Sequence, residues 1–256
     1  MKRKILSLSV ALFATGSLLA APTDDVQTAI KKLTDSGSFS WSSTTTNLGG
    51  GGGGGGGGRG GRGGGPAAGK LGKDGFALVT RAGFQGGTME TFMKGDKSVS
   101  KNQDGEWQTP EERMAAFGGG GGGAPGGGRG GFMRNLNRLP TAEATELLTG
   151  VKELKLADGV YSGDLTTEAA TARLNPFGGR GGPPGGEAPP APTGVKGSVK
   201  FWVQDGLLAK YEINVQGKTT NFQGDSMDVN RTTTVAITDV GTTKVEVPEE
   251  AKKKLM

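Results

Sequence analysis

Three glycine-rich stretches break this chain, and any fold built from it must keep all three out of its core. Residues 49–65 hold fifteen glycines in seventeen positions, with Arg59 and Arg62. Residues 118–131 hold eleven in fourteen, with Arg129. A third low-complexity stretch, 178–194, starts with glycines around Arg180 and runs on into proline and alanine. Glycine has no side chain to bury and loses the most freedom on ordering, so such segments cannot offset the entropy of a fixed structure. Closing a flexible loop costs only about 0.6 kcal/mol more per doubling of its length, so one domain can carry three of them as disordered inserts. Gly49–Gly65, Gly118–Gly131 and Gly178–Gly186 account for 32 of the 51 glycines. The rest of the chain has an ordinary glycine content.

Two absences narrow the chemistry. There is no cysteine, which excludes disulfides, a thiolate nucleophile, Cys-ligated zinc or iron–sulfur centres, and an acylated N-terminal cysteine. There is no histidine, which excludes a Ser-His-Asp triad, a His metal site and the usual base at neutral pH. No catalytic residue, metal ligand or cofactor is expected, and the chain reads as a non-enzyme.

The formal charge of +5 belongs to particular segments. Lys2, Arg3 and Lys4 precede an apolar stretch from Ile5 to Leu19 and a small-residue junction at Ala20-Ala21-Pro22. That is the pattern of a secretory signal peptide over residues 1–20, too short for a confident membrane span, with cleavage after Ala20. An uncleaved N-terminal anchor is the alternative. The mature chain, 21–256, is expected to be exported, periplasmic or secreted, and not a lipoprotein. Removing residues 1–20 leaves 27 basic and 25 acidic residues, so no basic binding face is implied.

The segments between the inserts read as one domain. Thr23 can cap a helix in which Val26, Ile30 and Leu33 share a face, closed by Gly37. Phe39, Trp41 and Ser43 alternate with polar residues, as do Phe76, Leu78 and Thr80, and then Met89, Thr91 and Met93. A short strand over Lys97–Lys101 lies between turn signals, and Trp107 ends the meander. Thr109-Pro110-Glu111-Glu112 is a capping box that starts a helix running to Phe117. Further helices are expected over 141–149 and 166–174. A hairpin spans 151–156 and 160–165 over Asp158-Gly159. Val199, Phe201 and Val203 share a face. After Asp205-Gly206, Leu207, Ala209, Tyr211, Ile213 and Val215 line one face of a long strand, opposite Leu208, Lys210, Glu212, Asn214 and Gln216. One buried and one wet face means an antiparallel sheet. Strands over 231–240 and 244–247 and a helix after Pro248 complete the chain. Strands and helices do not alternate as βαβ units, so the class is α+β: one curved antiparallel sheet with short helices on its concave face.

These patterns carry a resemblance. The N-terminal helix before a Phe/Trp strand, the meander with Lys94-Gly95-Asp96-Lys97 and Asp104-Gly105-Glu106-Trp107, and the ending Ile237-Thr238-Asp239-Val240-Gly241 with Val245-Glu246-Val247-Pro248 resemble the LolA/LppX-like superfamily. Asp158 to Leu165 and Lys200 to Gly206 are similar to a set of exported bacterial proteins of unassigned function. The resemblance covers most of the mature chain outside the inserts, and its motifs are turns and strand patterns. It implies a half-open barrel whose helical lid holds acyl chains or lipoproteins. The three glycine inserts depart from that pattern.

Isolated motifs have simpler readings. Asp35-Ser36-Gly37 matches an aspartic-protease triplet, but that chemistry needs two and no second exists, so it reads as a helix end. Asn102, Asp104 and Glu106 alternate like part of a calcium loop but lack its closing glutamate, and read as a turn. Gly-Arg-Gly-Gly units bind RNA elsewhere through charge and stacking. Here four arginines have no aromatics among them, and no nucleic-acid partner is expected.

Three functional expectations follow. The first is an exported binder of a lipid or lipidated protein, touching membrane surfaces transiently. Its pocket candidates are Phe39, Trp41, Phe76, Leu78, Phe92, Tyr211 and Ile213. The second is an envelope interaction module with a filled core. The third is binding of a nucleic acid or another anionic polymer through Arg59, Arg62, Arg129 and Arg180.

Overall fold

The computed structural model describes residues 21–48, 67–82, 87–102, 104–116, 138–174, 190–220 and 226–256. The signal-peptide segment, the glycine-rich parts of the three inserts and Phe117 lie outside the described residues, as do Arg59, Arg62, Arg129 and Arg180.

Eleven strands form a single antiparallel sheet. They are β1 (Phe39–Asn47), β2 (Ala67–Leu71), β3 (Phe76–Ala82), β4 (Thr88–Lys94), β5 (Lys97–Lys101), β6 (Trp107–Gln108), β7 (Lys155–Ala157), β8 (Val160–Asp164), β9 (Thr193–Gln204), β10 (Leu207–Thr220) and β11 (Ser226–Thr238). The spatial order is β6-β5-β4-β3-β2-β1-β11-β10-β9-β8-β7. The sheet is open, with β6 and β7 at its edges. Most neighbours in space are neighbours in sequence, and the join of β1 to β11 brings the two ends of the chain together. The first insert falls between the paired strands β1 and β2, and β9 begins at Thr193, inside the third low-complexity stretch.

Among the described residues five helices accompany the sheet: α1 (Pro22–Asp35), α2 (Pro110–Ala116), α3 (Pro140–Gly150), α4 (Thr167–Leu174) and α5 (Glu249–Leu255). Helix α1 starts one residue before the expected Thr23 cap. Pro22 takes its first position and Ala21 its cap, with no side-chain cap bond. Proline fits there because its missing N–H would have no helical partner. The capping box of α2 forms as expected. The Thr109 backbone N–H donates to Glu112 Oε2 at 2.9 Å, and the Glu112 N–H donates to Thr109 Oγ1 at 3.2 Å.

The Asp-Gly turns set the hairpins. Asp158-Gly159 and Asp205-Gly206 both have positive φ at each position (51° and 76°, 52° and 73°), the geometry whose twist suits a two-residue hairpin. The first hairpin is shorter than its pattern implied, because β7 covers only Lys155–Ala157; Val151 and Leu165 meet as an isolated bridge beyond it.

Two other strand expectations are corrected. Residues 244–247 are not a strand: Val245 and Val247 pack as an irregular segment against the second hydrophobic cluster. In β10, the pairing with β9 shifts between Leu208 and Lys210. This irregularity flips the alternation. Leu208 is therefore fully buried, while Leu207 and Ala209, expected on the buried face, are only half-buried.

Candidate ligand-binding face

Alternation gives each strand two faces, and the helices mark them as different. The inner face carries Phe39 and Trp41 (β1), Ala77 and Val79 (β3), Met93 (β4), Val199 and Phe201 (β9), Tyr211, Ile213 and Val215 (β10), and Val235 and Ile237 (β11). All are buried in one cluster with Val26, Ile30 and Leu33 of α1. Trp41 lies flat over β2. A Cβ added at Gly69, its cross-strand partner, would sit 2.1 Å from Trp41 Cζ2, so only glycine lets the indole lie there. Helices α1 and α4 pack on β9 and β10, and α3 packs on α1 and α4.

The outer face carries a second cluster: Phe76 and Phe92, Val99 and Trp107, with Leu78 packed against them. The C-terminal segment covers it through Ala251 and Leu255 of α5 with Val245 and Val247. Phe92 meets Trp107 edge-on at 5.2 Å. Lys254 reaches across to Glu112 at 2.6 Å and, with the Thr109 N–H, holds that carboxyl below its ordinary pKa.

The seven pocket candidates thus occupy two surfaces. Phe39, Trp41, Tyr211 and Ile213 stand together on the inner face, whereas Phe76, Leu78 and Phe92 stand on the outer face beneath the C-terminal segment. The cause is register. Phe39 pairs through Leu71 to Ala77, not to Phe76, so the larger side chains of β3 face away from the helices.

A polar network crosses the inner cluster and joins α3 to the sheet. The Tyr211 phenol donates to Glu143 Oε2 at 2.7 Å. Arg173 of α4 pairs with the other oxygen of Glu143 and with Glu146 at 3.3 Å, and Arg138 also pairs with Glu146. Arg231 of β11 donates to the Arg173 carbonyl at 2.6 Å. Burial, and then the Glu143 charge and hydrogen bond, push the Tyr211 phenol well above its usual pKa. At the sheet's far side, the Tyr161 phenol donates to Asp25 of α1 at 3.1 Å. No sequence motif marked Glu143, which reads as an ordinary first-turn acid of α3.

The isolated motifs resolve as local structure. Asp35 ends α1, paired with Lys31 at 2.5 Å, and Gly37 takes φ +69°. Asn102 Oδ1 accepts from the N–H groups of Asp104 and Glu106 at 3.0 and 2.9 Å, a side-chain turn. Among the described residues there is no cluster of three or more acidic side chains suited to a metal, and no helix long and apolar enough to cross a membrane.

No protein-family profile and no curated protein matches the chain. Among solved structures it is similar to the lipoprotein LppX of Mycobacterium tuberculosis, with a TM-score of 0.44 and 12% identity over 89% of this chain and 98% of that one. It is similar to LprF from Mycobacterium bovis, with a TM-score of 0.41 and 13% identity over 90% and 97%. A LolA superfamily protein from Nitrosomonas europaea aligns with a TM-score of 0.32 and 10% identity over 91% and 97%. An open antiparallel sheet with short helices was expected and is found; α1, α3 and α4 lie on the inner face, but α5 covers the outer one.

Proposed function

We propose that the chain is an exported, non-enzymatic protein that binds an apolar ligand, a lipid or the acyl part of a lipidated protein, on the inner face of its sheet. One observation carries this reading: the inner face continues, only half-buried, past the strands on which α1 and α4 pack. The register row that runs through Tyr211 and Val235 continues across β1, β2, β3 and β4 as Ser43, Ala67, Arg81 and Met89, all of them half-buried. Helix α3 closes the covered part and is tied to the sheet by the Tyr211–Glu143 hydrogen bond. The helix is also seated through Ala144 and Leu147, which are buried in the inner cluster, so uncovering Tyr211 and its neighbours requires those contacts to open as well as the polar tie. Each methylene that then leaves water contributes on the order of 0.8 kcal/mol.

The test is a titration with a dansylated fatty acid, read by energy transfer from tryptophan. Trp41 is buried on the inner face, whereas Trp107 and Trp202 belong to the outer one, so a Trp107→Phe/Trp202→Phe background isolates the signal. Saturable transfer is expected, weakened at least tenfold by Ala67→Trp, which fills the half-open part of the row. A wild-type protein without saturable transfer would overturn the reading and favour a module with a filled core.

A further inference from the structure

The same inner-face row holds a cation with no counter-charge among the described residues. Arg81 sits on β3, between Ala67 of β2 and Met89 of β4, and shares a face with Val79 and Ala77. Its Nε is buried and has no hydrogen-bond partner. Among the described residues no carboxylate pairs with its guanidinium, and burial alone depresses its pKa. Arg81 as a whole is half-buried, but a buried Nε–H without a partner is costly, because that donor loses water and gains nothing. The other half-buried arginine of this face, Arg231, donates to the Arg173 carbonyl. Arg81 is therefore the one that lacks a ligand-like partner among these two.

The surroundings say what would satisfy it. The guanidinium fork matches a carboxylate or phosphate, which it can bind through two parallel hydrogen bonds. Three strands lie between Arg81 and Tyr211 along the row, which is four strand spacings or about 19 Å. That span is within reach of a long acyl chain, and the side chains between the two ends include Ala67 and Val235. The row thus has a half-buried cationic end and an aromatic, aliphatic end that is buried in the inner cluster with α3 tied over it.

We infer that Arg81 is the headgroup site of this face: it takes the carboxylate or phosphate of an anionic amphiphile whose acyl chain runs toward Tyr211. The inference rests on the apolar-ligand reading above and specifies its ligand class.

The experiment compares two probes on the full mature chain: a dansylated fatty acid and its methyl ester, which share a tail and differ in charge. Inorganic phosphate is added as a competitor. Wild type should prefer the acid roughly tenfold, as expected for a charge-assisted pair. Arg81→Gln should abolish the preference for the acid over the ester, while Arg81→Lys should keep part of it. Phosphate at millimolar concentration should displace the acid only weakly, since it lacks the tail. Equal binding of acid and ester by wild type overturns the headgroup site and leaves the apolar-ligand reading standing. Binding of neither probe overturns both. Full displacement by phosphate with no effect on the ester assigns Arg81 to a free anion and overturns the amphiphile. If Arg81→Gln loses ester binding as well, with a lowered melting temperature, Arg81→Lys decides: the proposal requires it to prefer the acid, and an absent preference overturns it.

Discussion

Tyr211→Phe isolates the tie between α3 and the sheet. The substitution keeps the ring, so the buried contact with Phe201, 6.4 Å between ring centroids, survives. It removes a 2.7 Å hydrogen bond to Glu143. A hydrogen bond to a charged group contributes about 1.5–3 kcal/mol. Glu143 keeps its pairing with Arg173, and its side chain is 23% exposed, so water replaces part of the loss. The expected destabilisation is about 1–2 kcal/mol, which in a domain of this size lowers Tm by about 2–8 °C. The pH dependence has a definite sign. The folded phenol holds its proton more tightly than the unfolded one, because of burial first and Glu143 second. The stability this contributes is complete below the unfolded tyrosine pKa near 10 and is lost as the pH rises above it. Thermal melts by circular dichroism from pH 7 to 11 should show Tm falling above about pH 10 in the wild type. Tyr211→Phe should lie lower at pH 7 and fall less steeply at alkaline pH. Tyr161, the chain's other tyrosine, is also raised by burial and Asp25 and accounts for a residual slope. An unchanged Tm at pH 7 together with an unchanged alkaline slope would refute the tie. The variant should also exchange bound dansyl fatty acid faster, since α3 is less firmly held.

Other perturbations probe other links. Gly69→Leu places a Cβ where Trp41 lies, so it should lower stability by about 1–3 kcal/mol and red-shift the Trp41 emission. Leu255→Ala thins the cover of the outer cluster, where Leu255 is 2% exposed; a loss of about 2 kcal/mol and increased binding of a hydrophobic dye are expected. Thr109→Ala breaks the capping box of α2 and should cost about 1 kcal/mol, read by chemical denaturation. Shortening 49–65 to four residues joins β1 and β2 by a tighter loop and should leave Tm unchanged or slightly raised, whereas a large fall would contradict the reading of that stretch as an insert.

Much of the architecture was legible because local chemistry decided it. Asp158-Gly159 and Asp205-Gly206 need a backbone that few other pairs adopt, and Thr109 with Glu112 needs no tertiary partner to form its cap. Alternation in Tyr211, Ile213 and Val215 named their face correctly. The same rule failed at Leu207-Leu208-Ala209, where apolar residues fit either parity and only the irregular pairing with β9 chooses. It failed differently for Phe76, Leu78 and Phe92. Phe76 and Phe92 are buried, Leu78 is half-buried and all three alternate properly, but β3 carries apolar residues on both faces. Which face meets α1 follows from the register of β2, and the other is covered by residues from the end of the chain. The Tyr211–Glu143–Arg173 network was hidden because its members are far apart in sequence and each has an ordinary local role. Arg81 was hidden as one charged residue in an alternating strand.

The central claim is that the inner face holds an apolar ligand, and native mass spectrometry of protein purified from its own host tests it most directly. The account predicts a mature chain carrying an acyl-lipid adduct, released by mild activation and diminished in Ala67→Trp. A clean apo mass from that source, together with no binding of fluorescent fatty acids, would contradict it.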